Sequence, residues 1–341
     1  MKAVVLVGGE GTRLRPITET MPKPLVPLVD RPSLDHVLDH LRRHGVHEVV
    51  LSSSYHEEPF RSFIRARRGD PEITWITEEM PLGTGGAIAN ALDALASEEA
   101  FLALNGDILT DLDITAMRER HAATGATATI ALTRVEDARP FGLVATDADG
   151  RVLEFREKPR DPIPGDVNAG TYLLDPDAVR GWSTGEPVSI EREIFPSLIA
   201  DGRPVFGFVS DAYWKDLGTP DQYLQAHVDL LDGRVRGQPA YPAPFLAAGA
   251  SVAEGASVAS HVVVGPGAAI EAGAEVSDSV LLEGARVGER SRVRRSILGP
   301  SSIVSAGAIV EDSVLGAGAV LEPDAVVRDG RIGPGQRVSS A

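Results

Sequence analysis

The chain contains no cysteine, which removes disulfides, thiolate zinc sites, iron–sulfur clusters and cysteine nucleophiles together. Long apolar runs are absent as well. The opening MKAVVLVGGEGTR holds a five-residue apolar stretch, Ala3–Val7, cut short by Gly8 and Gly9. That is too short for a secretory core or a membrane span, and no later run approaches the roughly 18 residues a span needs. A cytoplasmic protein without a membrane partner is expected. Positive charge is also in deficit: 33 Lys and Arg stand against 49 Asp and Glu, a net charge of −16, which argues against nucleic acid or anionic lipid as a general partner. The deficit is uneven. Residues 1–70 carry 11 basic and 9 acidic side chains against 22 and 40 in the remainder, so an anion-binding site is sought near the N-terminus.

With 341 residues, 43% hydrophobic and 24% charged, the chain is long enough for two packed domains. Up to about residue 232, short β-branched runs alternate with helical-period segments, the pattern of βαβ units. Strands are expected at Ala3–Val7, Glu48–Ser52, Ile73–Thr77, Phe101–Leu104 and Thr127–Leu132, with helices near 33–44, 57–68, 84–96 and 111–123. A hairpin over Gly142–Thr146 and Val152–Phe155, and strands at Ala169–Leu174, Val205–Val209 and Ala212–Lys215, make the sheet a mixed one. Residues 233–248, dense in Gly and Pro, read as a linker.

From 249 to 341 branched apolar residues recur every six positions, at Val252, Val258, Val264, Ile270, Val276 and Leu282, then Val287 and Val293, then Ile297, Ile303, Ile309 and Leu315. Six residues per side of a three-sided coil send each of these side chains into one axial core. The expected fold is therefore an α/β Rossmann-like mixed-sheet domain over 1–232, followed by a left-handed parallel β-helix of hexapeptide repeats. The slip near residue 283 reads as a loop or bulge.

The first strand runs into GGEGTRLRPITETMPKPLVPL. A glycine-rich turn after a buried strand offers backbone N–H groups to phosphate. It is not a P-loop, and no Gly follows three residues beyond Gly11, so the dinucleotide fingerprint fails too. Arg13, Arg15 and Lys23 follow, stiffened by Pro16, Pro22 and Pro24, as a loop built to hold charge would be. GGEGTRLRP with PKPLVPL resembles the signature of the sugar-1-phosphate nucleotidyltransferases. The resemblance implies that Leu6, Gly8, Gly9, Gly11, Thr12 and Arg13 line the nucleotide, with Arg13 gripping the triphosphate and Lys23 neutralising the reacting phosphates.

The likeness continues in family order. TEEMPLGTGGAI at 77–88 resembles the base-reading segment, implying Glu78 and Gly83; LNGD at 104–107 implies a metal-binding acid, Asp107. Phe141-Gly142, FREKP at 155–159 and NAGTY at 168–172 resemble the sugar site, implying Gly142, Glu157, Lys158 and Asn168. WKDLGTP at 214–220 implies the second metal-binding acid, Asp216. The chemistry asks for such residues. A phosphate monoester attacking the α-phosphorus of a triphosphate is an anion meeting an anion, so charge must be cancelled and the groups held in line. Two carboxylates for Mg²⁺ and an Arg and a Lys for phosphates suffice.

Glu78 lies five residues before Gly83, where uridylyl- and thymidylyl-transferring members carry Gln. A carboxylate only accepts hydrogen bonds and suits the adjacent N1–H and amino donors of guanine; Glu79 could play the same part. VSIEREIFPSLIADG at 188–202 resembles the branch that joins GTP to mannose 1-phosphate. Glucose 1-phosphate with UTP or dTTP remains the alternative substrate pair. Two other classes compete: acyl transfer in the coil, which offers His261 as a base, and a non-catalytic homologue, against which Arg13, Lys23, Asp107 and Asp216 speak. The five histidines from His36 to His56 read as a solvated surface. The coil is expected to stabilise the enzyme or an assembly of identical chains. On this reading, Asp107→Asn or Asp216→Asn loses most turnover with the fold intact, as measured by pyrophosphate release alongside circular dichroism.

Overall fold

The central β-branched runs form strands buried on both faces, as parallel strands in the middle of a sheet are, while Glu72–Thr77 at the sheet edge has no buried residue. Ala3, Val4 and Val5 are fully buried in β1 (Lys2–Leu6), as is Leu51 in β2 (Glu48–Ser53). The computed structural model describes residues 1–340 apart from 55–56, 68, 96–99 and 183–184. The expected helix ends at 68 and 96, and His56, lie outside the described residues.

Packing divides the chain into two compact units, Met1–Gly9 with Val37–Trp214, and Glu10–His36 with Lys215–Ala341. The first holds a nine-stranded mixed sheet. Its further strands are β3 (Glu72–Thr77), β4 (Phe101–Asn105), β5 (Ala128–Val135), β6 (Gly142–Thr146), β7 (Val152–Glu157), β8 (Gly165–Leu174) and β9 (Val205–Ser210). They run in the order β7-β6-β8-β4-β1-β2-β3, with β5 on β8 and β9 on β5. Strands β4, β1, β2 and β3 are parallel, and β8 runs antiparallel to β4, β5 and β6. Four helices, α1 (Ser33–Arg43), α2 (Glu57–Ala66), α3 (Gly83–Asn90) and α4 (Ile114–Thr124), fall at the expected places; α5 (Pro220–Leu231) belongs to the second unit.

The left-handed β-helix has three sheets, of six, six and five strands. The first turn, from Phe245 to Val263, takes eighteen residues, and each later turn takes seventeen. This corrects the reading of a single slip near 283: from Leu281 onward one side of every turn is five residues long. The corner that shortens it carries Asp278, Arg295, Asp312 or Asp329, all with φ between +46° and +50°. Aspartate tolerates this left-handed conformation better than most residues. Just beyond it a ladder of serines stacks, with Ser296 N–H donating to Ser279 Oγ and Ser313 N–H to Ser296 Oγ, each at 3.1 Å. The five-residue side shifts the register, so Leu281, Leu298, Val304 and Val310 fill the axial core instead of Leu282, Ile297, Ile303 and Ile309.

The histidines depart from expectation. His36 and His40 are buried, because α1 turns that face inward, while His44 is half-buried and His47 exposed. His40 is pushed down to about 3, by burial first and then by His44 and Arg43. His227 on α5 is pushed down to about 4, chiefly by burial; its Nδ1 lies 2.9 Å from the Tyr223 carbonyl, which assigns that nitrogen the proton. Among the described residues no helix is long and apolar enough to cross a membrane.

Both rings are neutral in the folded chain and titrate near 6.5 when unfolded, so the unfolded state binds more protons below that pH. Stability is full above pH 6.5 and falls as pH drops from there through about 4 for His227 and about 3 for His40. Urea midpoints should fall between pH 7.5 and 4.5 by an amount worth about 2 to 5 kcal/mol, and His227→Asn should flatten part of that slope.

Candidate active site

In the first unit β1 lies between β2 and β4, so the strand order reverses at the carboxyl ends of β1 and β4. Open α/β sheets place ligands at this switch point. Gly8 and Gly9 follow β1. Across from them Gly106 ends β4 by donating its N–H to the Leu6 carbonyl at 2.9 Å. A Cβ on Gly106 would lie 2.9 Å from Val7 Cγ1 and 3.0 Å from Leu6 O, so only glycine lets β4 close against β1. Asp107 comes next, half-buried at the strand end.

Glu78 follows β3 and is buried, while Glu79 is exposed. Its carboxylate is fixed at both oxygens: Ser52 Oγ donates to Oε1 at 2.9 Å and Leu82 N–H donates to Oε2 at 3.0 Å. Burial and fixed geometry therefore single out Glu78 of the two acids. Gly83 opens α3 with φ +70°, and a Cβ there would come 2.6 Å from the Val188 carbonyl. A Cβ on Gly85 would meet Ile194 Cδ1 at 2.7 Å and the backbone nitrogen of Ile190 at 3.0 Å, so glycine lets α3 pack against the 188–194 stretch.

The expected sugar segments meet along β6, β7 and β8. Glu157 pairs in register with Gly142, and a Cβ on Gly142 would strike Phe155 at 2.6 Å and Glu157 Oε2 at 3.0 Å. Lys158 adopts φ +51°, held by its N–H on the Phe141 carbonyl at 2.9 Å, and its Nζ lies 3.4 Å from Glu157 Oε1. A lysine in the left-handed region stores strain, which clusters at functional sites. Asn168 Nδ2 donates to Tyr172 Oη at 2.8 Å and Tyr172 Oη donates to Glu191 Oε1 at 3.3 Å. Glu191 Oε2 accepts from Thr84 Oγ1 at 2.7 Å and from Ser189 Oγ at 2.8 Å. Burial, with the Glu191 charge behind it, holds the Tyr172 hydroxyl well above its ordinary range, so it stays a donor. Glu191 lies on a single π-helical turn, Ile190–Ile194, a rare element frequent at functional sites. Sequence reasoning missed both Glu191 and Tyr172; the signal available was Ser189, which caps that turn by accepting from Arg192 N–H.

In the second unit Lys23, Arg13 and Asp216 form one charge cluster. Lys23 Nζ lies 3.3 Å from Asp216 Oδ1 and Arg13 Nη2 lies 3.3 Å from Oδ2. Lys23 is only 7% exposed, whereas the Arg13 guanidinium is 62% exposed and so presents its remaining N–H groups outward. Two glycines make room. Gly11, at φ +62°, would carry a Cβ 2.9 Å from Thr18 Cγ2 and 3.1 Å from Lys23 Cβ; Gly218 would carry one 2.6 Å from Arg13 Nη2. Gly11 leads into the short turn Thr12–Leu14, whose Leu14 is buried while Thr12 is exposed. His261 sits between two carboxylates, hydrogen-bonded to Asp232 at 3.1 Å and 3.6 Å from Asp278, and nothing else at that place supports acyl transfer.

The cluster revises the expectation for Asp216→Asn. Asp216 neutralises a buried lysine, so the amide should lower stability as well as activity, by about 1 to 3 kcal/mol in urea denaturation. Asp107→Asn, at a half-buried strand end, should stay within about 1 kcal/mol of the parent in the same measurement.

Comparison with known proteins bears on these groups together. The family model described as nucleotidyl transferase matches residues 2–233, and one described as the GMPPB C-terminal domain matches residues 241–341. A mannose-1-phosphate guanylyltransferase of Mycobacterium tuberculosis is 39% identical over 300 residues, 84% of this chain and 80% of that protein. Mannose-1-phosphate guanylyltransferase 1 of Arabidopsis thaliana is 34% identical over 310 residues, 87% of this chain and 85% of that protein. Among solved structures, HddC from Yersinia pseudotuberculosis superposes with a TM-score of 0.60 at 30% identity, covering 67% of this chain and 98% of that one. The same protein complexed with GMP-PN gives a TM-score of 0.59. By the family match over residues 2–233 and by relatives alike over most of both lengths, the chain belongs to the nucleotidyl transferase family, alongside the mannose-1-phosphate guanylyltransferases.

Proposed function

We propose that the chain transfers the guanylyl group of GTP to mannose 1-phosphate, forming GDP-mannose and pyrophosphate with Mg²⁺. The observation that carries this reading is the likeness to mannose-1-phosphate guanylyltransferases over 84% and 87% of the chain. Glu78 supports the choice of base. Ser52 and Leu82 each occupy one lone pair of its carboxylate, and the acceptor capacity left over matches the paired donors on the Watson–Crick edge of guanine.

The nucleophile is an ionised phosphate oxygen, so no general base is needed. The chain's task is to bind, orient and neutralise. Arg13 grips the triphosphate through its exposed guanidinium, and Lys23 lends its charge to the reacting phosphates. Glu157 and Asn168 bind sugar hydroxyls, with the buried Tyr172 and its partner Glu191 fixing Asn168 from behind, and Lys158 faces the sugar phosphate. Among the described residues no group of three or more His, Asp and Glu could cage a metal. Mg²⁺ is commonly held by one or two carboxylates with substrate phosphates filling its shell. Asp107 and Asp216 are the carboxylates assigned to it. When bound, the ion supplies charge neutralisation on the triphosphate.

Pyrophosphate release with Mg²⁺ should be fastest for GTP with mannose 1-phosphate when GTP, UTP, dTTP, ATP and CTP are each offered with mannose or glucose 1-phosphate. Glu78→Gln should lower kcat/KM for GTP relative to UTP by about tenfold to a hundredfold. If another pair wins, the base and sugar assignment falls; if the parent turns over no pair, the catalytic reading itself falls.

A further inference from the structure

The outward-facing lane of the first coil sheet differs from the lanes on the other two. In register, Val263, Val280, Ile297 and Val314 follow one another, and all are at most 4% exposed although they point away from the axial core. The next position in the lane is Arg331, where the aliphatic run gives way to a guanidinium. Its Nη1 donates to two main-chain carbonyls, those of Arg13 at 3.1 Å and Arg15 at 2.5 Å. Both belong to the signature turn, and both lie in the same compact unit as the coil.

We infer that Arg331 is a positioning residue for the turn that grips the triphosphate, an assignment that rests on the phosphate-binding role proposed for Arg13. The two carbonyls flank Leu14, which is 1% exposed and anchors the turn from its other side. Arg15 precedes Pro16, so its carbonyl belongs to an amide with no N–H, and Arg331 gives that carbonyl a charged donor. Arg13 is thereby held twice: its main chain by Arg331 and its guanidinium by Asp216. Fixing the main chain in advance removes an ordering cost from phosphate binding, so the effect of Arg331 is read on the nucleotide and not on the sugar.

The test uses the full chain with Arg331→Met, which keeps an unbranched stem and removes the donors, and Arg331→Lys, which keeps a charged donor. Arg331→Met should raise KM for GTP about tenfold, with KM for mannose 1-phosphate within twofold and an unchanged urea midpoint; Arg331→Lys should recover most of the loss. An unchanged KM for GTP in Arg331→Met would overturn the inference. So would equal rises for both substrates, or a lowered urea midpoint that Arg331→Lys fails to restore. Should the parent prove inactive with every pair, the catalytic reading fails while this inference is still read by GTP binding in calorimetry. A tenfold weaker Kd in Arg331→Met supports it, and an equal Kd overturns it.

Discussion

A lysine taken almost wholly out of water must keep a counter-charge, and the Lys23–Asp216 pair is the constraint around which the second unit is arranged. Asp216 is delivered by the short strand Trp214–Asp216, whose side chains alternate between faces. Its neighbour Lys215 pairs with Asp229 at 3.6 Å, and Asp229, buried on α5, also accepts Arg234 at 2.7 Å. Two ion clusters thus hold the strand from opposite sides, one structural and one exposed through Arg13. Gly11 and Gly218 are consequences of that geometry, since each stands where a Cβ would displace a member of the first cluster. The same cations that pair with Asp216 are those proposed to hold phosphate, so on that proposal the groups that meet the anion are ordered before it arrives.

The coil extends this order over a long distance. A seventeen-residue turn with left-handed residues at its corners stacks each residue on its counterpart one turn away, as the serine ladder and the pairs Glu275–Arg292 and Glu311–Arg328 show. Such a stack is stiff along its axis because every turn repeats the hydrogen bonds of the last. A residue at one end of a lane is therefore placed as firmly as the lane itself, which is what lets Arg331 act on main-chain atoms more than 300 positions earlier.

Much of this was legible in the chain because the signals were local. The parallel strands announced themselves as β-branched runs: Phe101–Leu104 and Glu48–Ser52 each proved one residue longer. Arg13, Lys23 and Asp216, each singled out in the sequence, come together in one charge cluster. What failed depended on contacts distant in sequence. His36 and His40 sit among charged residues and read as solvated, yet α1 buries them. In the coil, six-residue spacing predicted Ile303 inside, whereas a five-residue side brings in Val304 and leaves Ile303 37% exposed. Glu191 carried only the Ser189 cap as a signal and Arg331 none, because their meaning lies in Tyr172 and Thr84 for one and in two backbone carbonyls for the other.

Base choice shows how much of a specificity can rest on one atom type. An amide at position 78 could still take the Ser52 hydroxyl on its oxygen, but its NH2 would then face the Leu82 N–H, donor against donor. Turning the amide over sets its NH2 against Ser52 instead, where the hydroxyl can rotate and accept. In that rotamer the amide oxygen accepts from the Leu82 N–H, so both partners remain satisfied. The protein's own hydrogen bonds therefore accept either side chain, and what the carboxylate adds is open lone pairs on both oxygens for a donor to meet. A group that can only accept rejects the acceptor edges flanking N3–H in uracil and thymine and welcomes the adjacent donors of guanine. On the proposal that Glu78 reads the base, Ser52 and Leu82 take part in the selectivity, because they decide which of its lone pairs remain to be read.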